Sequence, residues 1–153
     1  MSADSLDVLR EAPAPFLLLD GILSVDAAEL TAWRQAGELP FFLALEAAAQ
    51  AAALHQRWLA DFGAHAFLLS LGSCRWPSAP LSGRLEIRAR LQGRSAGAAA
   101  YVVSLCLPQR PPAVLQAHIG LIPYDAAFRR DVLRAHYRAL FQRLSRGRDA
   151  TPV

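Results

Sequence analysis

Several residue types that often mark binding sites are scarce in this chain. It has no lysine, no asparagine, one methionine and two cysteines among 153 residues. Cys74 and Cys106 lie 32 positions apart, which provides neither a metal-ligand cluster nor a disulfide framework. Both are therefore predicted to be small core residues in a reducing, cytoplasmic compartment. The sequence also lacks a GxSxG nucleophile elbow and a phosphate-binding glycine loop, so we expect no metal and no cofactor.

Long apolar runs and a basic amino-terminal segment are missing as well. The longest apolar stretch, residues 41–54, is interrupted by Glu46 and Gln50 and is too short to span a bilayer. Residues 1–15 carry three acids against one arginine, whereas a secretory signal begins with basic residues and continues with an apolar segment. The sequence therefore predicts neither a membrane span nor a secretory signal. A hydrophobic fraction of 54% in a chain of this length suffices for the core of one domain.

The net charge of +3 is concentrated near the carboxyl terminus. Residues 125–149 contain seven arginines and three acids, whereas the rest of the chain contains nine arginines and ten acids. This segment is either the solvated face of an amphipathic helix or a docking surface for an acidic partner. The candidate docking residues are Arg129, Arg130, Arg134 and Arg138. The small charge and the absence of interleaved aromatic residues argue against nucleic-acid binding.

The hydrophobic patterns predict an α+β domain. Residues 16–25 are predicted to form a strand, and residues 27–37 a second short strand or a loop. A final amphipathic helix is predicted over residues 125–144. A short apolar strand is predicted at residues 66–72. Three further strands with short connections, which predict an antiparallel meander, are expected at residues 84–92, 98–107 and 113–122.

The longest helix is predicted over residues 41–62, which are good helix formers. Pro40 suits a helix start because its missing N–H has no intrahelical partner there, and Gly63 can end the helix. The first three turns are apolar or alanine on nearly every side, apart from Glu46 and Gln50, which lie four residues apart on one face. Such a helix is buried on most of its surface, and the simplest way to bury it is to wrap the sheet around it.

The segment LPFFLALEAAAQ, residues 39–50, resembles the central-helix motif of the hot-dog-fold β-hydroxyacyl-(acyl carrier protein) dehydratases. In that family a Pro-Gly turn leads into an apolar helix with a pattern like LEAxAQ. Residues 15–25 look like the first strand of the family, and residues 67–85 look like its stretch ending in a Pro-Gly-Asp-type turn before a long strand. The chain looks most like the dehydratase-like proteins of aryl-polyene-type fatty acid clusters.

This resemblance implies a division of the chain. A single hot-dog domain, an antiparallel sheet wrapped around a long central helix, is expected over residues 13–124. An arm of residues 1–12 precedes it. An extra basic amphipathic helix, residues 125–146, and a tail of residues 147–153 follow it.

The resemblance also implies roles for four positions. The helix acid of the family falls on Glu46, and the glutamine that follows it falls on Gln50. The glycine whose N–H polarises the thioester carbonyl falls on Phe41, where a backbone N–H still favours an oxyanion but the phenyl group crowds the approach. The catalytic histidine, 14 residues before the acid, falls on Ala32 and is therefore absent.

Three functions remain open on this basis. Dehydration of a 3-hydroxyacyl thioester needs a base for the C2 proton and an acid for the departing hydroxyl, and loss of one such group costs about 10²–10⁴-fold. The chain is a dehydratase-like enzyme with Glu46 as acid and base, a hot-dog thioesterase in which Glu46 activates water, or a non-catalytic acyl-binding or partner subunit. The expected ligand is an acyl thioester of an acyl carrier protein or of coenzyme A. An acyl carrier protein is strongly acidic, so the resemblance implies it as the partner that the arginines of residues 125–149 would dock. A purely structural role, with Glu46 bound to Gln50, is the remaining alternative.

A dimer is implied by the same resemblance. The family usually pairs two sheets side by side, with the acyl pocket at the interface beside the central helix, so a homodimer is expected. The alternative is a heterodimer with a histidine-bearing dehydratase. His55, His65 and His118 are each predicted to be structural or solvated, and His55 lies about 180° around the helix from Glu46. A dimer would still allow a histidine of one chain to approach Glu46 of the other.

Overall fold

The computed structural model describes residues 17–125 and 129–146. The predicted arm, residues 1–12, and the predicted tail, residues 147–153, lie outside these ranges. Within them the chain forms, in order, β1 (Gly21–Val25), β2 (Glu29–Leu39), α1 (Phe41–Leu59), β3 (Ala64–Arg75), β4 (Leu81–Arg94), β5 (Ala98–Cys106), β6 (Ala113–Pro123) and α2 (Arg130–Ser145).

The described strands form a single antiparallel sheet in the order β1-β2-β4-β5-β6-β3. β4, β5 and β6 are the predicted meander, and they pair with their sequence neighbours. The chain enters α1 from β2 and leaves it into β3, which lies at the opposite end of the sheet beside β6. The helix therefore crosses one face of the sheet between these positions. This confirms the predicted α+β architecture with a sheet around a central helix.

Several boundaries differ from the sequence prediction. The ambiguous residues 27–37 belong to β2, an 11-residue strand. β1 begins at Gly21 rather than at residue 16. α1 ends at Leu59 rather than at residue 62, because Asp61 and Phe62 have positive φ angles of 48° and 58° and cannot continue a right-handed helix. The last helix starts at Arg130, whereas residues 126–128 of the predicted helix lie outside the described part.

Alanine forms the face of α1 that contacts the sheet. The small side chain lets the helix axis approach the strands closely, so that larger residues of the sheet fill the space on either side. Opposite the helix lie fully buried residues such as Leu85, Ile87 and Val103. The alanines with no exposed surface are Ala44, Ala47, Ala48, Ala51 and Ala52.

Burial of α1 is less complete than its composition predicts. Phe42 and Glu46 are exposed on the side of the helix opposite the alanine face, and Phe41 is exposed at the helix start. The predicted burial over most of the helix surface therefore does not extend to this outward side in the single chain. The prediction that Cys74 is a core residue is also wrong, since it is exposed on β3, while Cys106 is half-buried on β5.

A buried hydrogen-bond network fixes α1 to the sheet. His55 is fully buried, and its Nε2 lies 2.7 Å from the carbonyl oxygen of Asp26. A carbonyl oxygen only accepts, so Nε2 carries the proton and Nδ1 accepts from the Tyr101 hydroxyl at 2.7 Å. The same hydroxyl accepts a hydrogen bond from Nε2 of Gln56. Burial lowers the pKa of His55, which favours this neutral imidazole.

Replacing Tyr101 with phenylalanine tests this network. Y101F leaves His55 Nδ1 and Gln56 Nε2 buried without their partner, so we expect the free energy of unfolding to fall by about 1–3 kcal/mol. Urea denaturation of the variant and the wild type measures the difference. Y137F, which removes a hydroxyl from a half-buried tyrosine of α2, serves as the control and should change stability less. Equal stability of Y101F and the wild type would contradict the assignment.

Candidate functional site

A cavity of about 440 Å³ lies against the outward side of α1. Its walls come from α1, from residues 17–19 ahead of β1, from the first half of β3 and from α2. The α1 residues Glu46, Gln50, Ala53 and Arg57 follow one another at spacings of four, three and four, which places them on one face of the helix. This stripe forms one wall of the cavity, which we call the α1 cavity.

Glu46 is held at this wall by its neighbour. Nε2 of Gln50 donates a hydrogen bond of 3.1 Å to Oε1 of Glu46, while Oε1 of Gln50 accepts the backbone N–H of Leu18 at 2.8 Å. The two bonds fix which end of the Gln50 amide faces the acid. The structural role that the sequence left open for this pair is therefore present, and it also orients a carboxylate toward a cavity. Glu46 is exposed, so this chain alone does not supply the apolar enclosure expected around it.

Ala32 lies apart from the α1 cavity. It is fully buried in the middle of β2, where it is paired with Ile22 of β1 and Ile87 of β4. The position that the resemblance assigns to a catalytic histidine, counted without gaps, is therefore part of the hydrophobic core. A polar imidazole there would lie among aliphatic side chains, and it would not face Glu46 across this cavity.

Phe41, the third position carried over, also lies outside the lining of the α1 cavity. It is the first residue of α1, about half exposed, and its ring meets that of Trp76 edge-on at 4.5 Å. The structure thus brings Glu46 and Gln50 together and leaves Phe41 at the helix start.

Helix α2 forms part of the α1 cavity, which was not predicted from the sequence. His136, Tyr137, Leu140 and Arg143 of this helix line the α1 cavity, and His136 is the one histidine among the described lining residues. Their spacing of one, three and three residues is that of one helix face, a signal that is visible in the sequence. The partner of that face is not visible there, because α1 lies about 80 residues earlier in the chain.

The other three histidines have different positions. His55 is buried in the network with Tyr101, as predicted for a structural residue. His65 is half-buried and its ring stacks on Phe67, so of the two predicted alternatives it is closer to a structural residue than to a solvated one. His118 lies on β6, where its Nδ1 is 3.2 Å from the Ser70 hydroxyl.

Arg57, the last residue of the stripe on α1, contacts both β3 and α2. Its guanidinium donates to the carbonyl oxygen of Ala66 at 2.8 Å and lies 3.5 Å from that of Ala64, both on β3. The ring of Tyr137 from α2 covers its face at 3.8 Å. Desolvation lowers the pKa of this buried guanidinium. The first residues of β3 and the middle of α2 are thereby fixed against α1.

The predicted docking arginines separate into two pairs. Arg129 and Arg130 are exposed at the start of α2. Arg134 and Arg138 both form ion pairs with Asp61, the latter at 3.0 Å, and Arg134 also donates to the Asp61 carbonyl oxygen at 3.1 Å. Hydrogen bonds from these two guanidinium groups lower the pKa of Asp61. They therefore connect α2 to the turn after α1, and only the first pair remains available to a partner without breaking such contacts.

Comparisons with known proteins agree on the architecture. No family model matches the chain, and no curated protein matches it. Among solved structures, the dehydratase heterocomplex ApeI:P from Xenorhabdus doucetiae is similar over 75% of this chain and 88% of that one, with 15% identity and a TM-score of 0.65. A mutant thioesterase from Pseudomonas aeruginosa is similar over 81% and 96%, with 16% identity and a TM-score of 0.63. A thioesterase from Haemophilus influenzae is similar over 80% of this chain and 92% of that one, with 14% identity and a TM-score of 0.61.

The chain adopts the hot-dog fold. At these identities the likeness concerns the fold alone. In this hot-dog domain no described helix is long and apolar enough to cross a membrane. The residues at 17–125 and 129–146 contain no group of three or more histidine, cysteine or acidic side chains that could hold a metal ion.

The Asp61 ion pairs make a prediction for the mobility of α2. D61N removes the negative charge that Arg134 and Arg138 share, so we expect faster hydrogen exchange of the α2 amides than in the wild type. Added salt should reduce the difference, because exposed ion pairs are screened. E86Q removes one charge from an exposed ion pair with Arg88 in the sheet and should leave α2 unchanged. Unchanged hydrogen exchange of α2 in D61N would contradict a role of these ion pairs in holding α2.

Proposed function

We propose that this hot-dog protein acts on acyl thioesters, with Glu46 as its acid–base group. The observation that carries the proposal is the position of Glu46, a carboxylate oriented by Gln50 on the wall of the α1 cavity. Aliphatic and alanine side chains form much of the rest of that wall, which suits an acyl chain. The solved structures of similar fold include both a dehydratase heterocomplex and thioesterases.

Dehydration is the first candidate reaction. Glu46 would remove the C2 proton of a 3-hydroxyacyl thioester, and a second group would protonate the departing hydroxyl. Ala32 provides no such group, whereas His136 borders the same cavity from α2. We assign the second proton transfer to His136. Hydrolysis is the second candidate, in which Glu46 activates a water molecule that attacks the thioester carbonyl and releases free acid and thiol.

A non-catalytic role is supported by a separate observation. One of the solved structures of similar fold is a dehydratase heterocomplex, and this chain has no histidine at the position that the family resemblance assigns to it. A chain of this kind would bind the acyl group and support a catalytic partner subunit. Arg129 and Arg130 are the exposed arginines of α2 that would steer an acidic acyl carrier protein toward the cavity in each of these roles.

The catalytic proposal is tested by E46Q. The amide keeps the size of the side chain and can still accept from Gln50, but it cannot take a proton, so we expect turnover of a 3-hydroxyacyl thioester to fall at least about 10²-fold. Enoyl product indicates dehydration, and free acid with thiol indicates hydrolysis. E38Q, on the exposed end of β2, is the matched control.

Two further results of this assay separate the alternatives. H136N should also lower dehydration about 10²-fold if it donates the second proton, and it should leave hydrolysis nearly unchanged. Binding of the thioester without turnover by the wild-type chain would support the partner-subunit role. Full activity of E46Q would contradict the assignment of Glu46.

Strand β3 is the proposed dimer edge. It is at one end of the sheet, and all its residues from Leu68 to Arg75 are exposed, including Leu69 at 58%. An exposed strand edge with large apolar side chains is a template for pairing with another chain. Ala66, Phe67 and Leu68 of the same strand line the α1 cavity, so pairing at this edge would place a second chain beside Glu46.

Introducing a charge at this edge tests the dimer. L69E would place a carboxylate on the apolar surface that the proposed pairing covers, so we expect it to convert the dimer to monomer in sedimentation velocity experiments. L23E introduces the same charge at an exposed leucine of β1, the opposite edge of the sheet, and should leave the dimer intact. A wild-type chain that sediments as a monomer, or an L69E variant that remains dimeric, would contradict pairing through β3.

A further inference from the structure

Arg57 is a buried cation that forms no ion pair with a carboxylate of the described residues. Its residue is 7% exposed, and the ion pairs found among residues 17–125 and 129–146 involve other arginines. The side chains of Tyr137 and Tyr124 act on its guanidinium, and Nδ1 of His65 lies 3.5 Å from one of its terminal nitrogens. Removing a full charge from water without an opposite charge costs free energy, and an anion bound beside Arg57 would offset part of that cost.

The contacts of Arg57 satisfy hydrogen bonds without neutralising it. The carbonyl oxygens of Ala64 and Ala66 accept from its two terminal nitrogens, and the Tyr137 ring covers one face. Carbonyls and rings carry partial charges only, so the positive charge remains. Since Arg57 also lines the α1 cavity, that charge acts on whatever occupies it.

The charges along the α1 cavity are unequal. Glu46 is the one carboxylate among its described lining residues, whereas Arg57 and Arg143 both contribute guanidinium groups. Glu46 and Arg57 are eleven residues apart on the same face of α1, which is about 16 Å along the helix. Between these two charged positions lie Gln50 and Ala53, so a ligand along α1 meets an acid with its amide neighbour, an apolar position and then a cation.

We propose that the α1 cavity contains a subsite for an anionic oxygen group, a carboxylate or a phosphate, centred on Arg57 and assisted by Arg143. A guanidinium binds both groups well, because its planar donors match two oxygens at once. The group is either a carboxylate at the far end of the acyl chain or a phosphate in the arm by which a carrier holds its acyl thioester. Placing the thioester end at Glu46 rests on the function proposed above, whereas the anion subsite does not.

The subsite is tested by the binding of ten-carbon probes that contain no thioester. We expect the wild-type chain to bind decanoate or decyl phosphate about ten- to a hundredfold more tightly than decanol, as measured by calorimetry. A preference for decanoate identifies the acyl carboxylate as the source, and a preference for decyl phosphate identifies the carrier phosphate. R57Q should abolish the preference and R143Q should reduce it. R146Q removes the same charge from an exposed position outside the cavity lining and should leave it unchanged.

The outcomes separate this subsite from the proposed reaction. R57Q also removes donors from the β3 carbonyls and is therefore checked for folding, while R143Q alters an exposed side chain and keeps the test valid if R57Q unfolds. Equal affinity for decanol and both anions, or an anion preference that R143Q leaves untouched, overturns the subsite. Loss of thioester turnover in E46Q with equal probe affinities would support the reaction and reject the subsite.

Discussion

The close contact between the alanine face of α1 and the sheet determines where everything else in this protein lies. The inner face of the helix is used for packing, and the outward side carries the stripe that contains Glu46, Gln50 and Arg57. The network of His55, Gln56 and Tyr101 then fixes the rotation of the helix about its axis. A small rotation would bury the stripe or expose the alanines, so packing and placement of the site have the same origin.

The elements with a regular pattern could be predicted from the sequence. The meander β4-β5-β6 follows from alternating residues and short connections, and α1 from its composition. β2 was ambiguous because its apolar residues alternate imperfectly, and the sheet supplies the pairing that settles it. The outer half of β3 has little apolar alternation, and its pairing with β6 carries the strand to Arg75.

The candidate site could be predicted only in part, for a physical reason. Glu46 and Gln50 are four residues apart in one helix, so local geometry alone places them together. The contacts of Arg57 with β3 and with Tyr137 depend on tertiary packing, which no local spacing contains. For the same reason the arginines of α2 look alike in the sequence. The structure divides them into a pair that holds Asp61, a pair exposed at the helix start, and Arg143 in the cavity.

Helix α2 supplies to the α1 cavity the histidine that position 32 lacks. A count along the sequence places the missing histidine in the core of β2, where an aliphatic environment excludes an imidazolium. The α1 cavity instead receives its imidazole from α2, whose position depends on Asp61 and Arg57. If His136 transfers a proton, the Asp61 ion pairs that hold α2 also affect the distance between Glu46 and His136. Chemistry at Glu46 would then depend on ion pairs at the far end of α1, which is a coupling that the helix acid alone would not require.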